Sequence, residues 1–280
     1  MRFKVAHVSD PGKADVANED YYNFDESIGL FIVADGLGGY AGGEIASRIA
    51  VESVMERLAK PIRNYKMPCQ AVEEEISDAV MRANDKIVDE RNKNESVSRM
   101  GTTLSLVLVR DDYSYLAHMG DSRIFLLEID GLTLRKNRLT DDDSPVWSAY
   151  DGREIGIETA ITSHQLGVIK RYLGREKGQR PTIQLIETQY AKKFLLSTDG
   201  LTDNVLDKDI GMVMRNNNPE ETVKLLLSTA KKPEKVAQIY TGYYEKNKDV
   251  LGWENMDYHK ALNKLGGKDN ITIIAVELIK

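Results

Sequence analysis

Apolar and polar positions alternate along this chain in two rhythms. Short apolar or alternating runs at residues 3–9, 21–24, 30–34, 102–109, 113–119, 124–129, 132–139, 183–187, 194–197 and 271–278 have the length and β-branched content of strands. Between them lie stretches with helical spacing. Ile45, Ile49, Val51, Val54, Met55 and Leu58 share one broad face, and Val72, Ile76, Ala79, Val80, Ala83 and Ile87 share another in the stretch 68–92. Asn218-Pro219-Glu220-Glu221 is a helix start, with a capping Asn, Pro at the first helical position and acids in the first turn. It opens a helical segment over about 219–265. The polar, irregular segment 140–181 predicts one short helix near residues 165–173.

The connections between the middle strands are short, namely Arg110-Asp111-Asp112, Gly120 to Arg123, and Asp130-Gly131. A parallel crossover needs a dozen or more residues, so these connections predict antiparallel pairing of successive strands. No linker, repeat or low-complexity tract divides the chain, which predicts one α+β domain over 1–280. Its architecture is two mostly antiparallel sheets packed together with helices outside.

Composition removes several function classes. The hydrophobic share is 41% and the charged share 29%, ordinary for a globular domain. The net charge of −6 argues against nucleic acid or an anionic membrane as partner. The single cysteine, Cys69, rules out an internal disulfide and a Cys-x-x-Cys metal site. No apolar run approaches the roughly 18 residues of a membrane span, and the first residues lack a signal-like apolar stretch. A cytoplasmic protein is expected.

The candidate chemistry is acidic. Asp35-Gly36 and Asp199-Gly200 each terminate an apolar strand, Asp269-Asn270 immediately precedes the last one, and Glu19-Asp20 lies just before another. Taken singly, each is an ordinary turn or loop. Taken together, rigidly held carboxylates at strand ends are what hard divalent cations require, and spacing alone leaves both readings standing. If cations are held there, they lower the pKa of a water molecule and stabilise charge on phosphoryl oxygens, which is the chemistry of hydrolysis at phosphorus. Competing motifs are absent: Gly36-Leu37-Gly38-Gly39-Tyr40 matches neither a dinucleotide fingerprint nor a Walker loop, and there is no Gly-x-Ser-x-Gly elbow. The four histidines have no metal-pair spacing, and His118, within a strand, reads as a core residue.

Seven segments together resemble the metal-dependent Ser/Thr protein phosphatases of type 2C, bacterial branch. They are Asn18-Glu19-Asp20, Val33 to Gly39, Gly101-Thr102-Thr103, His118-Met119-Gly120-Asp121-Ser122-Arg123, Leu139 to Ser144, Ser197-Thr198-Asp199-Gly200-Leu201 and Gly267 to Thr272. The resemblance implies a four-layer α-β-β-α sandwich and a binuclear-metal-activated water that hydrolyses phospho-Ser or phospho-Thr. It implies two Mn²⁺ or Mg²⁺ ions, with a third in bacterial members. By position, Asp35 looks like the bridging ligand and the Gly36 carbonyl a ligand of one ion. Asp199 and Asp269 serve one ion, Glu19 and Asp20 the other, and Asp121 joins Asp199 for the third. Asp35, Asp199 and Asn270 form the catalytic set, Asn270 by orienting. The stretch 140–181 corresponds to the family's flap. The family usually places a phosphate-gripping Arg four residues before the Glu, where this chain has Asp15; Lys13 is the substitute candidate for substrate. Leu37 stands where eukaryotic members carry a His acid. The resemblance also implies a phosphoprotein substrate, an opposing Ser/Thr kinase, signal transduction and a monomer. The departure at Asp15 motivates an alternative, a weakly active or inactive metal-binding regulatory module of the same fold.

Overall fold

A computed structural model of the chain describes residues 1–12, 17–37, 42–63, 66–97, 99–128, 138–156, 159–160, 163–165, 167–175, 178–231 and 269–279. Lys13, Asp15, most of the strand expected at 132–139 and the helices expected beyond residue 231 lie outside these.

Two antiparallel sheets form the centre. The first joins β1 (Arg2–Asp10), β11 (Ile271–Ile279), β10 (Ala191–Ser197) and β8 (Arg123–Glu128), in that order. The second joins β2 (Tyr21–Asp25), β3 (Leu30–Ala34), β6 (Leu104–Val109), β7 (Tyr113–Met119) and β9 (Thr182–Glu187). A short ribbon pairs β4 (Gly36–Leu37) with β5 (Gly101–Thr102).

Every residue of β3 is buried because both of its faces are covered. Leu30, Ile32 and Ala34 pack toward the helices α1 (Gly43–Leu58) and α2 (Cys69–Lys93), among Val54, Leu58, Ile76 and Ile87. Phe31 and Val33 turn the other way and meet Phe194, Leu196, Ile274 and Val276 between the sheets. The far face of the first sheet, through Phe125, Leu195 and Ile273, is covered by α4 (Asp199–Thr202), α5 (Asp207–Asn216) and α6 (Pro219–Lys231). The period of two along each strand thus builds three apolar layers inside an α-β-β-α sandwich. The capping expectation for α6 holds: Asn218 Oδ1 accepts the Glu221 N–H at 2.9 Å.

Two local expectations are corrected. The short connection 120–123 does not make a hairpin. It carries the chain from β7 in one sheet to β8 in the other, where β8 pairs with β10. Gly120, at φ +112°, makes this step, and a Cβ there would stand 2.6 Å from the Thr103 Cβ. Within the irregular segment, the described residues are helical at α3 (Pro145–Asp151) and at 159–160, and not at residue 165 or 167–173. Leu173 instead bridges to Thr102, exchanging N–H···O bonds of 2.8 and 3.0 Å. Among the described residues, no helix is long and apolar enough to cross a membrane.

Candidate metal centre

The strand ends that carry the acids meet at one end of the sandwich, tied by hydroxyls and backbone. The Thr103 hydroxyl accepts the Asp35 N–H at 2.9 Å, and the Thr103 N–H donates to the Asp35 carbonyl at the same distance. The Thr198 hydroxyl donates to Asp20 Oδ2 (2.8 Å) while accepting the Thr272 N–H (3.0 Å), which links β10, β11 and the start of β2. Asn270 works as a spacer: its Oδ1 accepts the Glu19 N–H (2.8 Å) and its Nδ2 donates to the Pro11 carbonyl (3.1 Å). The Glu19 carbonyl in turn accepts the Gly36 N–H (3.2 Å) and the Ser47 hydroxyl (2.6 Å).

Glycine permits the closest approaches. A Cβ on Gly200 would overlap the Asn270 carbonyl oxygen, and one on Gly43 would stand 2.6 Å from the Glu19 Cδ. The Asp-Gly after β10 therefore serves packing as well as turning, since a side chain at 200 would wedge Asp199 away from Asp269-Asn270.

The acids are electrostatically coupled. Asp20 and Asp121 are buried, Glu19, Asp35 and Asp199 keep part of their surface open, and Asp269 is exposed. Burial, followed by the charges of Asp199, Asp20, Asp121 and Asp269, holds the Asp35 carboxyl well above the usual carboxylate range. Burial first, then Asp199 and Asp269 against hydrogen bonds from Thr198 and Thr272, pushes Asp20 up to about 8. Asp199 is pushed up to about 7 by burial and Asp269, with a hydrogen bond to Asp35 and the charge of Arg123 pulling back. Glu19 is raised by burial, Glu44 and Asp269. Carboxylates packed this way take up protons until a cation neutralises them.

The structure thus brings Glu19, Asp20, Asp35, Asp121, Asp199 and Asp269 into one field, with Gly36 and Asn270 beside them. Among the described residues, no three His, Cys, Asp or Glu side chains already close their donor atoms around one point. The donor set nevertheless fits a hard cation. Asp20 Oδ1, Asp121 Oδ1 and Asp199 Oδ1 are buried without a hydrogen-bond partner, and three such orphans at one strand-end cluster are costly unless a cation satisfies them.

One acid escaped the sequence reading. Asp203 is raised well above the ordinary range by burial and by Asp199, and its charge acts on Asp121 as well. The signal was present: Asp203 follows Asp199 by four residues through a helical turn, with the Asp203 N–H donating to the Asp199 carbonyl at 2.7 Å, so both lie on one face. His118, by contrast, is the satisfied core residue expected, with Nδ1 3.0 Å from the Ser105 hydroxyl and Nε2 3.1 Å from the Asp141 carbonyl.

Known proteins share this fold and between a quarter and a third of the aligned residues. The serine/threonine protein phosphatase PstP of Mycobacterium tuberculosis is 29% identical over 227 residues, 81% of this chain; the chain spans 42% of that relative's length. The serine/threonine phosphatase stp of Listeria innocua is 26% identical over 273 residues, covering 96% of this chain and 93% of the relative. The crystal structure of Mycobacterium tuberculosis PstP/Ppp superposes with a TM-score of 0.73 at 27% identity over the whole of both chains. The PstP catalytic domain in complex with two manganese ions gives 0.72 at 26% identity over 99% of each chain. The family described as protein phosphatase 2C matches residues 13–238, and the chain belongs to that family.

Proposed function

We propose that this chain is a protein-serine/threonine phosphatase that uses two Mn²⁺ or Mg²⁺ ions, with a weaker third, to hydrolyse phospho-Ser and phospho-Thr in proteins. The observation that carries the reading is the set of orphaned buried oxygens on Asp20, Asp121 and Asp199, within a cluster where burial and neighbouring carboxylates raise Glu19, Asp20, Asp35, Asp121 and Asp199. Glu19, Asp20, Asp35, the Gly36 carbonyl, Asp199 and Asp269 hold the pair of ions, and Asp121, with Asp199 and Asp203, holds the third. Bound there, the ions supply Lewis acidity toward a phosphoryl group and activation of water.

The chain's own residues set the geometry. Thr198 fixes the Asp20 carboxylate, Thr103 fixes the backbone of Asp35, and Asn270 holds Glu19 at its distance from the β1–β11 edge. Lys13 is assigned to the substrate phosphate from its sequence position alone, and the stretch 140–181 to the wall of the cleft. The substrate is a phosphorylated protein opposed by a Ser/Thr kinase, and the chain acts as a cytoplasmic monomer in signal transduction, as a single catalytic domain.

The test is hydrolysis of a phosphothreonine peptide with Mn²⁺ and with chelator, alongside Asp35→Asn. Turnover that needs the ion and disappears in the variant supports the reading. Turnover that persists in chelator or in Asp35→Asn refutes it. No turnover despite Mn²⁺ binding moves the assignment to the weakly active regulatory module.

A further inference from the structure

The tetrapeptide Gly120-Asp121-Ser122-Arg123 crosses between the sheets, and two consecutive acids grip both its ends. At one end, the Gly120 N–H donates to Asp143 Oδ2 (3.0 Å) and the Asp143 N–H donates back to the Gly120 carbonyl (2.7 Å). At the other, the Arg123 guanidinium makes a fork with Asp142: Nε lies 3.0 and 3.1 Å from its two oxygens and Nη2 lies 2.6 Å from Oδ2. Arg123 Nη1 reaches Asp207 Oδ1 on α5 (2.9 Å), and the guanidinium lies 4.7 Å from the centre of the Trp147 ring on α3. Between these grips, the Ser122 hydroxyl meets the Thr103 hydroxyl (2.7 Å), and the Ser122 carbonyl accepts the Ser105 hydroxyl (2.7 Å). Three residues of the four are pinned. The fourth, Asp121, has a buried carboxylate oxygen with no partner.

An arrangement that spends so many contacts on the neighbours and leaves one acid oxygen bare is a mount for that acid. We propose that Arg123, Asp142 and Asp143 are positioning residues that hold the Asp121 carboxylate for a divalent cation, and that they set the affinity of the ion bound there. None of the three needs to touch the ion. Arg123 cannot be a ligand, Asp142 is committed to the Arg123 fork, and Asp143 to Gly120 and Arg171 (3.0 Å). The inference rests on the reading that Asp121 is an ion ligand. It assigns a role to the Arg and the two acids that the metal chemistry itself does not require.

The same contacts make the mount part of the base of α3. Trp147 stacks on Arg123, the Thr140 hydroxyl accepts the Ile124 N–H (3.1 Å), and Asp143 also takes the Lys170 N–H on its carbonyl (2.7 Å). Loosening the fork therefore frees Asp121 to swing without unmaking either sheet.

The test uses the full chain and Mn²⁺ alone, titrated by calorimetry, with phosphopeptide kinetics in parallel. Arg123→Lys keeps the charge and removes the fork; Asp143→Ala removes the opposite grip and carries the test if Arg123→Lys does not fold. Asp121→Asn identifies the site in question. The expected result is a dissociation constant roughly tenfold higher at the site that Asp121→Asn removes, the scale of effect seen when groups behind metal ligands are changed. The tighter sites should be unaltered, and kcat should recover at higher Mn²⁺. In the Asp121→Asn background, Arg123→Lys should do nothing further to Mn²⁺ binding. The proposal is overturned if folded Arg123→Lys and Asp143→Ala bind every ion as the parent does, if their effect persists undiminished without Asp121, or if Asp121→Asn removes no site at all. A parent protein that binds Mn²⁺ but does not hydrolyse the peptide would sink the phosphatase assignment and leave the calorimetric result to decide this one.

Discussion

Asp20 offers a direct measurement of how much the acid cluster costs the fold when no cation is present. Its carboxyl rises from 3.8 to about 8 in the folded chain, through burial first and then through Asp199 and Asp269. Between those values the folded state keeps a proton that the unfolded state has lost. Stability contributed by a raised carboxyl is fully present below about 4 and drains away as pH climbs toward 8. One retained proton gives a slope of about −1.4 kcal/mol of unfolding free energy per pH unit. Asp199, pushed up to about 7, adds to the same window. Urea unfolding in chelator at pH 5, 6 and 7, for the parent and Asp20→Asn, reads this slope. Because the variant cannot take up the proton, its slope should be less negative by up to about 1.4 kcal/mol per unit, smaller if Asp199 captures the proton instead. With saturating Mn²⁺ the parent's slope should flatten, since binding expels the protons and stabilises the folded state. Equal slopes for parent and variant in chelator would refute the argument that these carboxyls are held protonated by one another and by burial.

Three shorter expectations rest on other parts of the structure. Asp35→Asn should reduce Mn²⁺-dependent phosphopeptide turnover by about 100-fold or more, the scale of losing one preorganised charge partner, with its thermal midpoint in chelator unchanged or raised, because a carboxyl facing Asp199, Asp20 and Asp121 is gone. Gly200→Ala should destabilise the chain by about 1–3 kcal/mol, since its Cβ meets the Asn270 backbone and no flexible side chain can yield; urea unfolding measures this, and a neutral result would mean that the β10–β11 end can open at little cost. Asn84→Ala should cost about 1–3 kcal/mol and make residues 174–175 more accessible to proteolysis, because Asn84 Oδ1 accepts the Gly174 N–H (2.9 Å) and its Nδ2 donates to the Arg175 carbonyl (3.1 Å).

What could be read from the sequence, and what could not, divides along a physical line. Strands buried on both faces announce themselves by continuous apolar runs, and an Asp at the end of such a run has few roles open to it. Asp35, Asp199 and Asp269 were therefore legible, as was the sandwich that brings them together. The step from β7 to β8 was not, because a four-residue connection implies neighbouring strands in one sheet unless a residue reverses the chain. That residue is Gly120, whose positive φ is invisible in a bare sequence. The helix α3 was missed although Ser144-Pro145 carries Pro at the first helical position, since its apolar pattern is too short to show a period. Leu173 misled in the opposite sense: an apolar residue near others suggested a helix, while its partner for a strand-like bridge, Thr102, lies far back in the chain.

The same division explains why the acids at the strand ends were legible and the contacts around Asp121 were not. Each of those acids is marked by its own strand end, but Arg123 acquires meaning only through Asp142 in the loop before α3, Trp147 on α3 and Asp207 on α5. The fork and the stack bury the guanidinium almost completely, with 4% of the side chain exposed, beside an Asp142 side chain exposed by 0%. A charge pair that deep stabilises little by itself against an apolar replacement, yet breaking one side of it is costly. Its value to this chain lies in direction more than in net stability. The fork fixes where Asp121 stands, two residues away, and the bare oxygen there is a buried side-chain atom that the protein leaves for something else to bind.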